Sequence, residues 1–321
     1  MTNKKDLPDW LSDFIYKELG GYYSPDRIAA QNNLLSTEEE NKRYLGTYFP
    51  RSFTESYCIF SNLFENDAYV ETVNGKDRLS ILSFGCGTGG DLMGLLEAIS
   101  EKLPWIKELE IVAYDGNFNA VTILKDIIEH PANTGRFRLK IDYSPFAMNG
   151  NEDFNLCCRC LTQPFDLVCS LKMVNELYRH DVLPSKPFLR FLNGIAPKLA
   201  TNGVMICVDA PVKVKGDYMP VFLSAGLRDF LRLHDEFEVI VPIPCHYKGR
   251  QCNGRCYMNK VFFGDIFNSE MVTYCMLARK DLAKAVIPAL EACKYKINHD
   301  GDCCKMVNGE KTLDAYDIKT G

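Results

Sequence analysis

A chain of 321 residues, 46% hydrophobic and 25% charged, is long enough for one large domain or two ordinary ones, which excludes a disordered or fibrous protein. Its 37 basic and 42 acidic residues leave a net charge of −5, which argues against a broad basic surface for nucleic acid. No apolar run approaches the roughly 18 residues needed to span a bilayer. The opening MTNKKDLPDWLSDF has neither an apolar signal core nor an arginine-rich presequence, so a soluble, cytoplasmic protein with no membrane partner is expected.

Residues 1–77 read as a helical N-terminal cap. Leu7 to Leu19 and Glu38 to Phe64 are helical in pattern, separated by the turn-rich GGYYSPD, with a break expected at Pro50. From residue 78, β-rich runs alternate with helical stretches. The strands are LSILSF (79–84), ELEIVAY (108–114), RFRLKI (136–141), FDLVCS (165–170), GVMICVD (203–209), FEVIVPI (237–243) and MVTYCMLA (271–278). Helices are expected at Asp91 to Leu103, Asn117 to Glu129, Pro187 to Leu199 and Pro220 to Leu233. Continuous apolar strands separated by helices imply a mostly parallel sheet covered on both faces. The last two strands are joined instead by a Cys-, Gly- and Asn-rich stretch (244–270), which suits an antiparallel last strand. The fold class is therefore α/β and Rossmann-like, over residues 78–280 with a cysteine-rich insert at 244–260. A helix from Asp281 to Cys293 and a tail would complete the chain at 281–321.

Directly after the first strand comes Gly85-Cys86-Gly87-Thr88-Gly89-Gly90-Asp91, followed by an amphipathic helix. Such a turn lets a ligand approach the backbone closely, and the helix N-terminus offers free N–H donors. Its place between a buried strand and a helix points to a nucleotide-type ligand over a simple turn. The second strand ends at Asp115, where a carboxylate can accept two ribose hydroxyls; a helix N-cap at Asp115 or Asn117 is the plainer alternative. The third ends at Asp142-Tyr143, placed to meet an adenine amino group or to serve as an ordinary turn. Ser170, ending the fourth strand, joins the cofactor-facing set.

The segments ILSFGCGTGGDL, IVAYDGN, IDYSPF and FDLVCSLKMVNEL, in this order, resemble the first four motifs of class I S-adenosylmethionine-dependent methyltransferases. The resemblance implies that Gly85, Gly87 and Gly89 lie under the methionine and ribose, that Asp115 binds ribose hydroxyls and that Asp142 faces adenine. The family usually carries an acidic residue where this chain has Ser83, and Asp91 is expected to take over the cofactor's amino group. A nicotinamide dehydrogenase is the competing reading, disfavoured because the spacing is Gly-x-Gly-x-Gly and not Gly-x-Gly-x-x-Gly. For methyl transfer, Asn175 and Glu176 after the fourth strand are the polar catalytic candidates, with a helix cap or salt link as the alternative for Glu176.

Fourteen cysteines are unusual for such a chain. Cys169, Cys207 and Cys275 sit in apolar runs and read as buried hydrophobes. Cys157, Cys158 and Cys160 precede the fourth strand, far from the cofactor edge, and read as free thiols, with a second metal site as the alternative. Cys245, Cys252 and Cys256, with His246 among basic and small residues, are spaced like thiolate ligands for zinc or an iron–sulfur cluster, with free loop thiols as the alternative. The 281–293 helix would return the chain to present Cys303 or Cys304 as the fourth ligand, with His246 as the nearer alternative. Together with RYLGTYFPRSFTESYCIF, VNEL, PIPCHYKGRQCNGRCYMNKVFF and TYCMLARK, this resembles the methyltransferase-like proteins of the mitochondrial ribosomal small subunit and their bacterial relatives. That resemblance implies Cys245, Cys252 and Cys256 as cluster ligands with Cys303 or Cys304, and RNA or the small ribosomal subunit as partner. Lys248, Arg250, Arg255 and Lys260 would form a local basic patch. A small-molecule methyltransferase and a non-catalytic S-adenosylmethionine-binding assembly factor are the alternatives.

Overall fold

The computed structural model describes residues 2–26, 37–133, 135–242, 256 and 258–287, and the backbone of three strands within 295–313. The chain opens with α1 (Asp9–Asp13), which runs into a π-helical turn (Phe14–Glu18), then α2 (Glu38–Phe64) and α3 (Asp67–Val73). Alternation follows with β1 (Arg78–Phe84), α4 (Gly90–Lys102), β2 (Glu108–Asp115), α5 (Phe118–Glu129), β3 (Arg138–Pro145), α6 (Asn151–Cys160) and β4 (Phe165–Leu171). Next come α7 (Val174–Arg179), α8 (Pro187–Ile195), β5 (Leu199–Asp209), the short β6 (Lys213–Val214) and β7 (Asp217–Tyr218), and α9 (Met219–Leu233). The domain ends with β8 (Phe237–Val241), β9 (Asn259–Gly264), β10 (Asn268–Arg279) and α10 (Lys280–Val286). Beyond it, β11 (Tyr295–Asp300), β12 (Cys303–Asn308) and β13 (Lys311–Leu313) pair antiparallel in a sheet of their own.

The main sheet has the order β3-β2-β1-β4-β5-β10-β8, parallel from β3 to β5, with β10 antiparallel to both neighbours and β9 paired to β10. This is the expected Rossmann-like sheet with an antiparallel last strand and a helical N-terminus. Strand order reverses between β1 and β4, so a crevice opens at their C-terminal ends, the place where open α/β sheets bind ligands. Helices α2, α4 and α5 cover one face. Phe84 of β1 meets Phe154 of α6 and Phe191 of α8 on the other, with ring centroids 6.2 and 5.6 Å apart.

Several expectations are corrected. Helix α2 runs unbroken through Pro50. Pro50 has no N–H for the Gly46 carbonyl, and the Tyr16 hydroxyl donates to that carbonyl instead, at 2.6 Å. A capping box of Thr37 and Glu40, with acidic residues in the first turn, starts the helix. The third strand continues past Asp142 to Pro145, held by a parallel register that sets Val112 against Asp142 and Asp115 against Pro145. An additional strand, β9, forms inside the segment that joins the last two predicted strands. The helix expected to reach Cys293 stops at Val286, because Ile287 precedes Pro288 and adopts an extended ψ of 81°. Seven residues span about 10 Å; the remainder of the predicted helix, 288–293, lies outside the described residues. Cys303 and Cys304 begin a strand in place of a tail, paired with Asp300 and His299.

Candidate functional site

The glycine turn is built by backbone bonds to β2. The amides of Gly85 and Cys86 both donate to the Tyr114 carbonyl, at 2.8 and 2.9 Å, and Gly89 donates to Cys86. Gly85, Gly87 and Gly89 have φ of 84°, 51° and 92°, a left-handed conformation that a side chain would strain. Gly89 also packs against Leu124, whose Cδ1 would lie 2.3 Å from an added Cβ.

Asp91, in the first turn of α4, is almost fully buried. Its Oδ2 accepts from the Ser83 hydroxyl at 2.8 Å and from the Cys169 thiol at 3.6 Å. Its Oδ1 is buried with no hydrogen-bond partner among the described residues. Burial pushes the carboxyl up to about 6, opposed first by the Ser83 hydrogen bond. Asp91 lines a cavity with Gly85, Gly87, Thr88, Leu171 and four residues of α2, Tyr44, Tyr48, Phe49 and Ser52. The α2 residues escaped the sequence reading. Their signal is a polar stripe at positions 44, 48, 52 and 55 inside an aromatic helix, on the face that should be apolar.

Asp115 ends β2 with its oxygens spaced between two amides. Oδ2 accepts from Gly87 N–H at 2.7 Å and Oδ1 from Asn117 N–H at 2.8 Å. A carboxylate so fixed keeps further lone pairs for hydroxyl donors. Asn117 is the N-cap of α5, accepting from Ala120 N–H. Asp115 also lines a second cavity with Gly116, Phe146, Met148, Met173, Glu176 and Leu177 among others.

The catalytic pair of the sequence separates. Glu176 faces this second cavity. Asn175 does not serve as an acceptor-facing group: its side-chain amide donates to Asp209 Oδ1 at 2.6 Å and to the Lys172 carbonyl at 2.7 Å, and its backbone N–H donates to Asp209 Oδ2. Burial pushes Asp209 up to about 7, and the Asn175 clamp ties α7 to the end of β5. Ser170 is also corrected. Alternation sends Cys169 towards Asp91 and hence Ser170 to the opposite face, fully buried with its hydroxyl unpartnered among the described residues, while Leu171 lines the glycine-turn cavity. Asp142 is exposed alongside Arg138 and Lys140, three residues short of the tip of β3.

Cys245, Cys252 and His246 lie outside the described residues, as do Lys248, Arg250 and Arg255. Cys256 is half-buried and accepts at its carbonyl from Asn259 N–H, at the entry to β9. Among the described residues no group of three or more His, Cys, Asp or Glu is arranged to hold a metal. No described helix is long and apolar enough to cross a membrane. Cys157 and Cys158 are buried on α6 and Cys160 is exposed at its far end.

No family model matches the chain, and no curated protein matches it. Among solved structures it is similar to the plantazolicin methyltransferase BamL in complex with a triazolic desmethylPZN analog and SAH, at 11% identity and a TM-score of 0.47, over 78% of this chain and 95% of that one. It is also similar to a SAM-dependent methyltransferase from Aquifex aeolicus, at 15% identity and 0.36, over 67% and 90%. A putative rRNA-methylase from Clostridium thermocellum is similar at 11% and 0.37, over 63% and 86%. The fold itself is assigned by this chain's own strand order. It is a mostly parallel, Rossmann-like sheet with an antiparallel strand.

Proposed function

We propose that the chain is an S-adenosylmethionine-dependent methyltransferase, with 1–77 as a cap on the 78–280 domain. The observation that carries this reading is the buried Asp91 carboxylate, which lines the cavity over the glycine turn and keeps one oxygen without a partner among the described residues. A buried carboxylate with an unmet acceptor fits an ammonium group, which makes it the partner for the cofactor's amino group where the family has an acidic residue at the Ser83 position. When bound, S-adenosylmethionine supplies the electrophilic methyl group. Gly85, Gly87 and Gly89 leave the backbone open to close approach, and Asp115 accepts the ribose hydroxyls. The apolar slot of Phe146, Met148 and Leu177 continues from Asp115 and suits a flat base. Glu176, in that slot, is assigned to the base's amino edge in place of Asp142, and not to catalysis.

Calorimetry with S-adenosylhomocysteine tests the reading: micromolar binding is expected, and no binding overturns it. Glu176→Gln should weaken 5′-methylthioadenosine several-fold, whereas an acceptor-side role would leave that affinity unchanged.

The finer reading rests on the sequence resemblance: action on RNA or the small ribosomal subunit, with an iron–sulfur cluster on Cys245, Cys252, Cys256 and Cys303 or Cys304, or zinc in its place. RNA crosslinking tests the partner, and absence of enrichment favours a small-molecule acceptor. Iron and zinc analysis of anaerobically purified protein tests the ligand set. Methyl-transfer assays on extracted RNA separate an enzyme from a non-catalytic assembly factor.

A further inference from the structure

Beneath the glycine-turn cavity lies a charged network that the roles above do not use. Glu55 of α2 is fully buried, and its Oε1 accepts from the Lys172 ammonium at 2.8 Å. Its Oε2 has no partner among the described residues. Glu55 follows Tyr48 and Ser52 on one face of α2, and those two line the cavity. Lys172 follows Leu171, which lines it from β4. The pair therefore sits next to lining residues on both α2 and β4, and the Lys172 side chain is still 19% exposed.

The geometry of Lys172 is itself unusual. It holds φ of 61° without being glycine, at the tip of the central strand. The strain is held from both sides: its N–H donates to the Val208 carbonyl at 2.7 Å, and its carbonyl accepts from Asn175. The side chain thereby reaches Glu55 of α2. The other charges facing the pair are Arg51 of α2 and Glu270 of β10, joined to each other at 2.8 Å, and Asp209 of β5 on the Lys172 side.

An amino acid presents an ammonium and a carboxylate on one carbon. If Asp91 takes the ammonium, the carboxylate needs a cation on the same cavity. Arg51 is committed to Glu270 and to the Tyr23 hydroxyl through its terminal nitrogens. We propose that the Lys172 ammonium is shared between Glu55 and the carboxylate of the bound cofactor's amino-acid part, so that cofactor binding draws a proton from solvent onto those Glu55 carboxylates that are still ionised. This inference rests on the proposed cofactor. The step is a plain protonation: a second carboxylate competes for one ammonium, and the buried Glu55 carboxylate becomes the carboxyl. Burial already pushes Glu55 up to about 7, with Lys172 opposing and Glu270 reinforcing it.

The test is calorimetry at pH 7.5 in two buffers of different ionisation enthalpy, which reads protons taken up per ligand bound. Asp91 is already ionised at that pH, so it does not mask the result. S-adenosylhomocysteine should bind with an uptake of roughly half to three quarters of a proton, given a free-state value of about 7 for Glu55. The ligand 5′-methylthioadenosine, which lacks the amino-acid part, should bind with none. Glu55→Gln should bind S-adenosylhomocysteine without uptake. Lys172→Met should weaken S-adenosylhomocysteine at least tenfold and leave 5′-methylthioadenosine unchanged. The comparison of the two ligands on wild-type protein needs no variant to fold. Binding of S-adenosylhomocysteine without buffer dependence, or equal uptake with both ligands, overturns the Glu55 assignment and leaves the cofactor reading intact. Absence of binding by either ligand overturns both.

Discussion

The two faces of the central sheet are packed by different chemistry. On the α6 and α8 side, Phe84 stacks on Tyr114 at 4.6 Å and meets Phe154 and Phe191 edge-on, a layer of rings without a charge in it. On the α2 and α4 side, the chain buries Asp91, Glu55 and most of Lys172 and Arg51. Taking a carboxylate out of water costs several kcal/mol, so the second face is held at a lower stability than apolar residues of the same volume would give. The contrast separates a face selected for cohesion from one selected for a ligand. It also explains why α2 lies so close to α4: an added Cβ on Gly94 would stand 2.2 Å from the Phe53 carbonyl oxygen.

The largest expected effect comes from the aromatic face. Phe191→Ala should lower stability by about 3–5 kcal/mol, read by urea unfolding, while the folded fraction binds S-adenosylhomocysteine as before. A loss below about 1 kcal/mol would place the cohesion of the sheet elsewhere. A smaller pair of changes compares the faces directly. Gly94→Ala forces a backbone carbonyl to move and should cost about 3 kcal/mol. Gly194→Ala meets only the Cys158 thiol at 2.7 Å and the Phe154 ring at 2.9 Å, which are side-chain atoms. Its cost should stay near 1 kcal/mol, offset in part by the better helix propensity of alanine. Equal costs would show that the α2–α4 contact is no more rigid than the other face.

Next in size is a test of the sheet edge. Asp115→Ala should weaken S-adenosylhomocysteine about tenfold, near 1.4 kcal/mol, whereas Asp142→Ala should leave affinity within about twofold. The two aspartates looked alike in the sequence, and the reason they differ is instructive. The end of β3 was judged from where its apolar residues stop, but the ladder to β2 uses backbone groups and continues through Asp142, Tyr143 and Ser144 to Pro145. The sheet order and the glycine turn were legible because both are written in local patterns, apolar runs and glycines after a strand. Pro50 misled because its unmet carbonyl is satisfied by Tyr16, on a different helix. Lys172 and Glu55 stayed hidden because each is a lone charge in an apolar segment, and only folding joins positions 117 residues apart.

A last test is a pH dependence that isolates the cost of one buried carboxylate. The folded state raises Asp91 from an ordinary value near 3.8 to about 6, so folding favours its protonated form. Its contribution to stability is therefore full below about pH 4 and is lost as pH rises through 6. Asp91→Asn removes that loss. The melting temperature of the variant minus that of the wild type, both without ligand, should rise by about a few degrees between pH 4 and 6 and stay level above. Glu55 and Asp209, both raised to about 7, titrate alike in the two proteins and cancel in the difference. Any fixed cost of the asparagine amide cancels as well, because it does not titrate. A difference flat across this range would mean that the Asp91 carboxylate is as well solvated in the folded chain as in the unfolded one. The polar face would then hold its charges without penalty, and the unpartnered oxygen would no longer mark a place for a cation.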